Sequence, residues 1–128
     1  MILDTSAITA VVFQEPGYES LRDRMSTDES VGIGSATLVE AGIVLSARLR
    51  RDARDLLARF LQEADVRIVP FDEDHWAVAV DAWLRFGKGR HPARLNFGDC
   101  LSYATARLAG EPLLCVGEDF PKTDLELA

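Results

Sequence analysis

Two cysteines and two histidines are too few, in this chain of 128 residues, for a disulfide framework or a zinc site with ligand spacing. Cys100 and Cys115 form no Cys-x-x-Cys pair and lie in apolar segments, where a free thiol behaves as a small hydrophobe. No apolar run is long enough to span a bilayer. Met1-Ile2-Leu3-Asp4 has neither the basic region nor the hydrophobic stretch of a leader, so the expected setting is soluble and cytoplasmic. Positive charge is also short: 14 Lys and Arg against 21 Asp and Glu leave a net −7, whereas proteins acting on nucleic acid usually carry a basic footprint. Gly32-Ile33-Gly34 lacks a third glycine at Thr37 and no Gly-Lys-Ser/Thr occurs, which removes the dinucleotide and P-loop readings. Repeats, linkers and low-complexity segments are absent. A balance of 48% hydrophobic and 27% charged residues is that of an ordinary globular protein, and the length suits one domain over residues 1–128.

What is present is an alternation of strand and helix signals. Ile2-Leu3 leads into a helical Ala7–Phe13, and Pro16 opens a second helical piece with Leu21 and Met25 on one side. After the break at Asp28-Glu29-Ser30, Val31–Gly34 reads as a strand. Ser35 is placed to cap a helix whose Leu38, Gly42, Leu45 and Leu49 recur at helical spacing. Asp52 to Ala64 reads as an amphipathic helix and Val66–Val69 as the third strand. Asp72 or Asp74 then starts a helix expected to turn Trp76, Val80, Trp83 and Leu84 into the core. The next helix, Asn96 to Ala109, sets Phe97, Leu101, Ala104 and Leu108 on one face and ends at Gly110; Leu113–Val116 is the fourth strand. Strands separated by helices imply right-handed crossovers. The fold class is therefore α/β, a three-layer α/β/α sandwich around a short central parallel sheet.

Within that frame the acids are placed unusually. Asp4 follows the first strand, Asp99 falls three residues after the capping candidate Asn96, and Glu40 interrupts an apolar helix beside Leu38, Val39, Ile43 and Val44. An unpaired acid there costs stability unless something satisfies it. Glu118 and Asp119 return acids to the same sheet edge, where open α/β sheets bind ligands. Carboxylates gathered there repel one another and suit a hard divalent cation, which lowers the pKa of a bound water for attack on phosphorus. On this reading Asp4 and Asp99 are direct metal ligands, Glu40 a ligand or the group orienting the water, and Asp119 an outer or second-metal group. Each acid alone would pass as a helix cap or a turn residue. Just ahead of Asp99, Arg85 to Arg94 holds Lys88, Arg90, His91 and Arg94 and no acid, a basic loop suited to phosphate despite the overall charge.

Competing acid-based sites fit less well. A phosphate-accepting receiver would want an acidic pair after the first strand, where Thr5-Ser6 stands, and a dehalogenase-type phosphatase would want Asp where Ser6 is. Asp4-Thr5-Ser6-Ala7, the helical Glu40, Asn96-Phe97-Gly98-Asp99-Cys100 and Gly117-Glu118-Asp119-Phe120 together resemble the PIN domain. Gly87-Lys88-Gly89-Arg90-His91 narrows the resemblance to its VapC-type toxin branch. It implies a Mg²⁺- or Mn²⁺-dependent endoribonuclease, usually a homodimer, silenced in a larger complex by a VapB-type antitoxin. Asp4, Glu40 and Asp99 match the family's acids, Asp119 or else Glu118 the fourth, and Thr5 or Ser6 the hydroxyl supporting the metal shell. The antitoxin is expected to insert an Arg among the acids and to pack near Val12, Phe13 and Leu49. A non-catalytic PIN-like module that binds a metal or a partner is the alternative, and a DNA nuclease of the same fold is a second.

Overall fold

The computed structural model describes Met1 to Ala128. Four short parallel strands, β1 (Ile2–Leu3), β2 (Val31–Gly34), β3 (Val66–Val69) and β4 (Leu113–Leu114), stand in the order β3-β2-β1-β4. β1 pairs on both sides, Ile2 opposite Gly32 and Leu113, so the first residues of the chain occupy the centre of the sheet. Successive strand residues point to opposite faces, and the core divides accordingly. Ile2 and Leu113 pack with α5 (Glu73–Phe86) and α6 (Phe97–Ala109) on one side. Leu3, Leu114 and Ile33 pack with α1 (Thr5–Val12), α2 (Tyr18–Thr27), α3 (Ser35–Leu49) and α4 (Arg54–Glu63) on the other. This is the α/β/α sandwich that the alternation implied. No helix is long and apolar enough to cross a membrane.

Local chemistry sets the helix ends that matter. Asp4 caps α1 by accepting from Ser6 N–H at 3.0 Å. Asn96 and Asp99 form a capping box at α6, each side chain accepting from the other's backbone N–H at 2.9 and 3.0 Å. At the far end of α6, Gly110 takes φ +65°, the left-handed C-cap glycine favours.

Several expectations change. Ser35 does not cap α3: Gly34 holds the cap position, and the Ser35 hydroxyl accepts from Phe71 N–H instead. The fourth strand stops at Leu114: its carbonyl takes the Asp4 N–H, after which the neighbouring chain turns into α1, and Val116 N–H donates to the Ser6 hydroxyl. Arg85 belongs to α5 rather than to the basic loop, and pairs with Asp81 and Asp124. The largest change concerns α5: Trp76, Val80, Trp83 and Leu84 are exposed, and His75, Ala79, Ala82 and Phe86 face inward. Both sets have helical spacing, and the inner one carries two alanines that let α5 lie close against α6. Phe97 and Leu108 of α6 are likewise exposed, while Leu101 and Ala104 are buried.

Candidate active site

Asp4 is 4% exposed and almost fully committed. Its Oδ2 accepts from Ser6 N–H and from the Ser6 hydroxyl at 2.6 Å, and its Oδ1 accepts from the Ser102 hydroxyl, also at 2.6 Å. Ser6 in turn accepts from Val116 N–H, so one hydroxyl joins the start of α1 to the segment after β4. These bonds fix the carboxylate's orientation.

Glu40 reaches the same place from α3. The Thr5 hydroxyl donates to its Oε1, and its Oε2 lies against Gly98 of α6, where a Cβ would come within 1.8 Å. Gly98 is what makes room for the acid. Val39 and Ile43, expected to surround Glu40, instead point outward. Asp99, half-buried three residues beyond the cap Asn96, completes the convergence. Its carboxyl is pushed up to about 6, first by burial and then by the negative charges of Asp4, Asp119 and Glu40, against the lowering effect of the Asn96 N–H. Asp119, exposed at the start of the turn Phe120–Lys122, therefore belongs to the acidic cluster; Glu118 is not among the charges Asp99 feels.

None of these acids is paired with Lys or Arg. No three Asp, Glu, His or Cys side chains are drawn together tightly enough to hold a metal ion by themselves. The donors are nevertheless all carboxylate and hydroxyl oxygens, and their charge is uncompensated. That combination fits a hard cation keeping part of its water shell, the habit of Mg²⁺, and not a soft one. The thiols do not join: burial pushes Cys100 up to about 11 and Cys115 up to about 12, leaving both neutral.

The basic loop, residues 87–95, is closed by Lys88 N–H to Leu95 C=O and Leu95 N–H to Phe86 C=O. The Arg90 guanidinium lies 4.9 Å from the Trp83 ring centre and donates to Leu84 C=O. His91 is half-buried, its Nδ1 accepting from Ala93 N–H and its ring set edge-on to Phe86. Lys88 and Arg94 remain exposed without an acidic partner. Val12, Phe13 and Leu49 are half-buried against the core, and Arg48 covers the Phe13 ring. The large apolar groove, about 860 Å³, lies instead between α3 and α4, lined by Leu38, Val39, Ile43, Leu57, Leu61 and Ile68 among others.

Ser102 and Gly98 were not foreseen. Both had a faint signal: Ser102 is a hydroxyl inside the buried face Cys100-Leu101-Ser102-Tyr103, and Gly98 is a glycine inside a helix.

The family model for the PIN domain matches residues 1–126. Ribonuclease VapC36 of Mycobacterium tuberculosis is 45% identical over 127 residues, spanning 98% of this chain and 91% of that protein. Ribonuclease VapC of Mycolicibacterium smegmatis is 40% identical over 125 residues, 98% of this chain and 97% of that one. Among solved structures, the sarcin-ricin-loop-cleaving toxin VapC20 of M. tuberculosis superposes with a TM-score of 0.78 at 19% identity, covering 99% and 97% of the two chains. A chain of the VapBC2 complex of Rickettsia felis, bound to a promoter DNA fragment, gives 0.76 at 14% identity, covering 99% and 96%.

Proposed function

The chain belongs to the PIN-domain family, among its VapC ribonucleases, and from that premise we propose that Asp4, Glu40, Asp99 and Asp119 form a site for Mg²⁺ or Mn²⁺ at which RNA is cut. The protein is an RNA-hydrolysing enzyme, the toxin component of a VapBC-type toxin–antitoxin pair. The single observation that carries the site is Asp99, a carboxyl pushed up to about 6 by burial and by three converging acids with no cation beside it. Asp4 and Asp99 would hold the ion directly, with the Thr5 and Ser6 hydroxyls steadying the carboxylates around it. When bound, such an ion supplies charge neutralisation and a lowered pKa for water.

The chain's own contribution is orientation. Ser6 and Ser102 hold both oxygens of Asp4, the capping box holds one oxygen of Asp99 and leaves Oδ1 free, and Thr5 holds Glu40 so that Oε2 faces the α6 N-terminus. Glu40 is thereby placed to orient the attacking water. Lys88 and Arg94, the unpaired cations of the loop, supply charge for the flanking phosphates, with Arg90 and His91 bracing the loop. The enzyme works in the cytoplasm as a homodimer. Its cognate VapB-type antitoxin silences it by placing an Arg among the unpaired acids, where a guanidinium takes over the ion's charge balance. The apolar contacts of that partner fall in the groove between α3 and α4.

The deciding experiment incubates the purified chain with cellular RNA, with Mg²⁺ or Mn²⁺ and with excess chelator, beside Asp4→Asn and Asp99→Asn. Cleavage is expected only with metal, and both variants are expected to fold yet cleave at least about a hundredfold more slowly. Parent rates in chelator, or in both variants, would take the metal and these acids out of the chemistry; no cleavage under any condition would leave a non-catalytic PIN-like module as the better reading. Titrating the neighbouring gene's product at several Mg²⁺ concentrations tests the antitoxin contact: inhibition indifferent to Mg²⁺ would move that contact away from the acids.

A further inference from the structure

Three contacts in a row join α3 to α6, and they fall on successive turns. At Gly34, the cap of α3, a Cβ would lie 2.5 Å from Thr105 Oγ1; Thr37 Oγ1 lies 3.3 Å from Ser102 Oγ; and Glu40 Oε2 lies against Gly98. As α3 advances by three residues at each step, its partner on α6 retreats by three and then by four, so the two helices run past each other in opposite directions. Glycine at both ends of this seam lets the helices close up. Only the middle contact is a hydrogen bond.

Both hydroxyls of that bond are shut away from water, Thr37 at 1% and Ser102 at 0% exposed. A hydroxyl has one hydrogen to give. Ser102 donates its own to Asp4 Oδ1, so Thr37 is the donor between the two, and the chain runs from Thr37 through Ser102 to Asp4. Each bond in such a chain strengthens the next. Its place in the fold gives it a use: Thr37 stands one turn before Glu40 on α3, Ser102 one turn after Asp99 on α6, and the chain ends on Asp4 at the head of α1. Three elements that each carry one acid are tied at a single buried point.

We propose that Thr37 is a positioning residue for the metal site: through Ser102 it fixes Asp4 Oδ1 and holds α3 in register against α6, and so sets the separation of Asp4, Glu40 and Asp99. Buried at this depth, it touches neither RNA nor metal. The proposal rests on the metal site stated above and extends it to a residue behind the carboxylates.

The test is calorimetric titration of Mn²⁺ into the full chain, beside Thr37→Val, Thr37→Ser, Ser102→Ala and Thr37→Val combined with Ser102→Ala, with a thermal melt of each in chelator. Thr37→Val is expected to weaken Mn²⁺ binding about tenfold or more, the usual effect of losing a group that orients a ligand, and Thr37→Ser to recover the affinity. Ser102→Ala should weaken binding at least as much. Adding Thr37→Val to it should change little, since the threonine acts only through the serine. Titrations are run below the melting temperature of every variant, so a hydroxyl that merely stabilises the core would lower the melt and leave the Mn²⁺ affinity alone; that result overturns the proposal. Independent, additive losses in the double variant overturn it too. If Thr37→Val does not fold, Thr37→Ala against Thr37→Ser isolates the hydroxyl, and equal affinities of those two again overturn it. A parent that binds no Mn²⁺ overturns the metal site itself, and this proposal with it.

Discussion

Replacing Gly98 with Ala separates catalysis from folding more cleanly than removing an acid. A Cβ at residue 98 would lie 1.8 Å from Glu40 Oε2, where 3.0 Å is the practical minimum, so the carboxylate must retreat by more than an ångström. It is the end of a flexible side chain, and the backbone of α6 need not move. Ala adds helix propensity of up to about 1 kcal/mol over Gly. Losing the Thr5 hydrogen bond to a charged acceptor costs about 1.5–3 kcal/mol. The net change is a destabilisation of about 1–2 kcal/mol, a shift of a few degrees in melting temperature. Catalysis should suffer more, since a misplacement of about 1 Å costs on the order of a hundredfold when a group must be aligned with the reacting atoms. The assay is single-turnover RNA cleavage at saturating metal alongside a thermal melt. Glu40→Asp in the Gly98→Ala background shortens the acid and should recover about tenfold of the loss by relieving the clash. Parent-rate cleavage by Gly98→Ala would refute the reasoning, because the position of Glu40 would then not matter to the chemistry.

Two further predictions concern charge. Because the Asp99 carboxyl is raised from 3.8 to about 6, the folded protein holds a proton that the unfolded chain has released over that interval. Stability in chelator should therefore fall as pH rises from about 4 to about 6, and Asp99→Asn should flatten that slope; chemical denaturation across pH measures it, and an unchanged slope would remove Asp99 from the cluster. In the loop, changing Lys88, Arg90 and Arg94 to Ala should reduce the slope of log affinity for RNA against log salt by about 1–2, with most of it from the two unpaired residues. Equal slopes by filter binding would return the loop to ordinary surface charge.

Much of this protein is determined by local chemistry that a linear reading exposes. Strand and helix alternate because short apolar runs are separated by turn residues, Asp4 and Asn96 sit where a cap is needed, and an acid inside apolar α3 has to be satisfied somewhere. Those features carried the three-layer fold, and the order and spacing of the acids carried the family. What only the tertiary structure decided is which partner each of these groups meets. Periodicity shows that a helix has an apolar face, yet α5 has two stripes of helical spacing, and His75, Ala79, Ala82 and Phe86 took the core, the two alanines letting α6 pack close. Adjacent Glu118 and Asp119 could only be ranked in sequence, Asp119 first; in the folded chain it is Asp119 whose charge reaches Asp99. Ser102 meets Asp4 across 98 positions, and Gly98 meets Glu40 across two helices, contacts with no local signature at all. Capping and patterning act over a turn or a strand, so they can be read in order along the chain; burial and charge act through space, so they take their values only when the chain is closed.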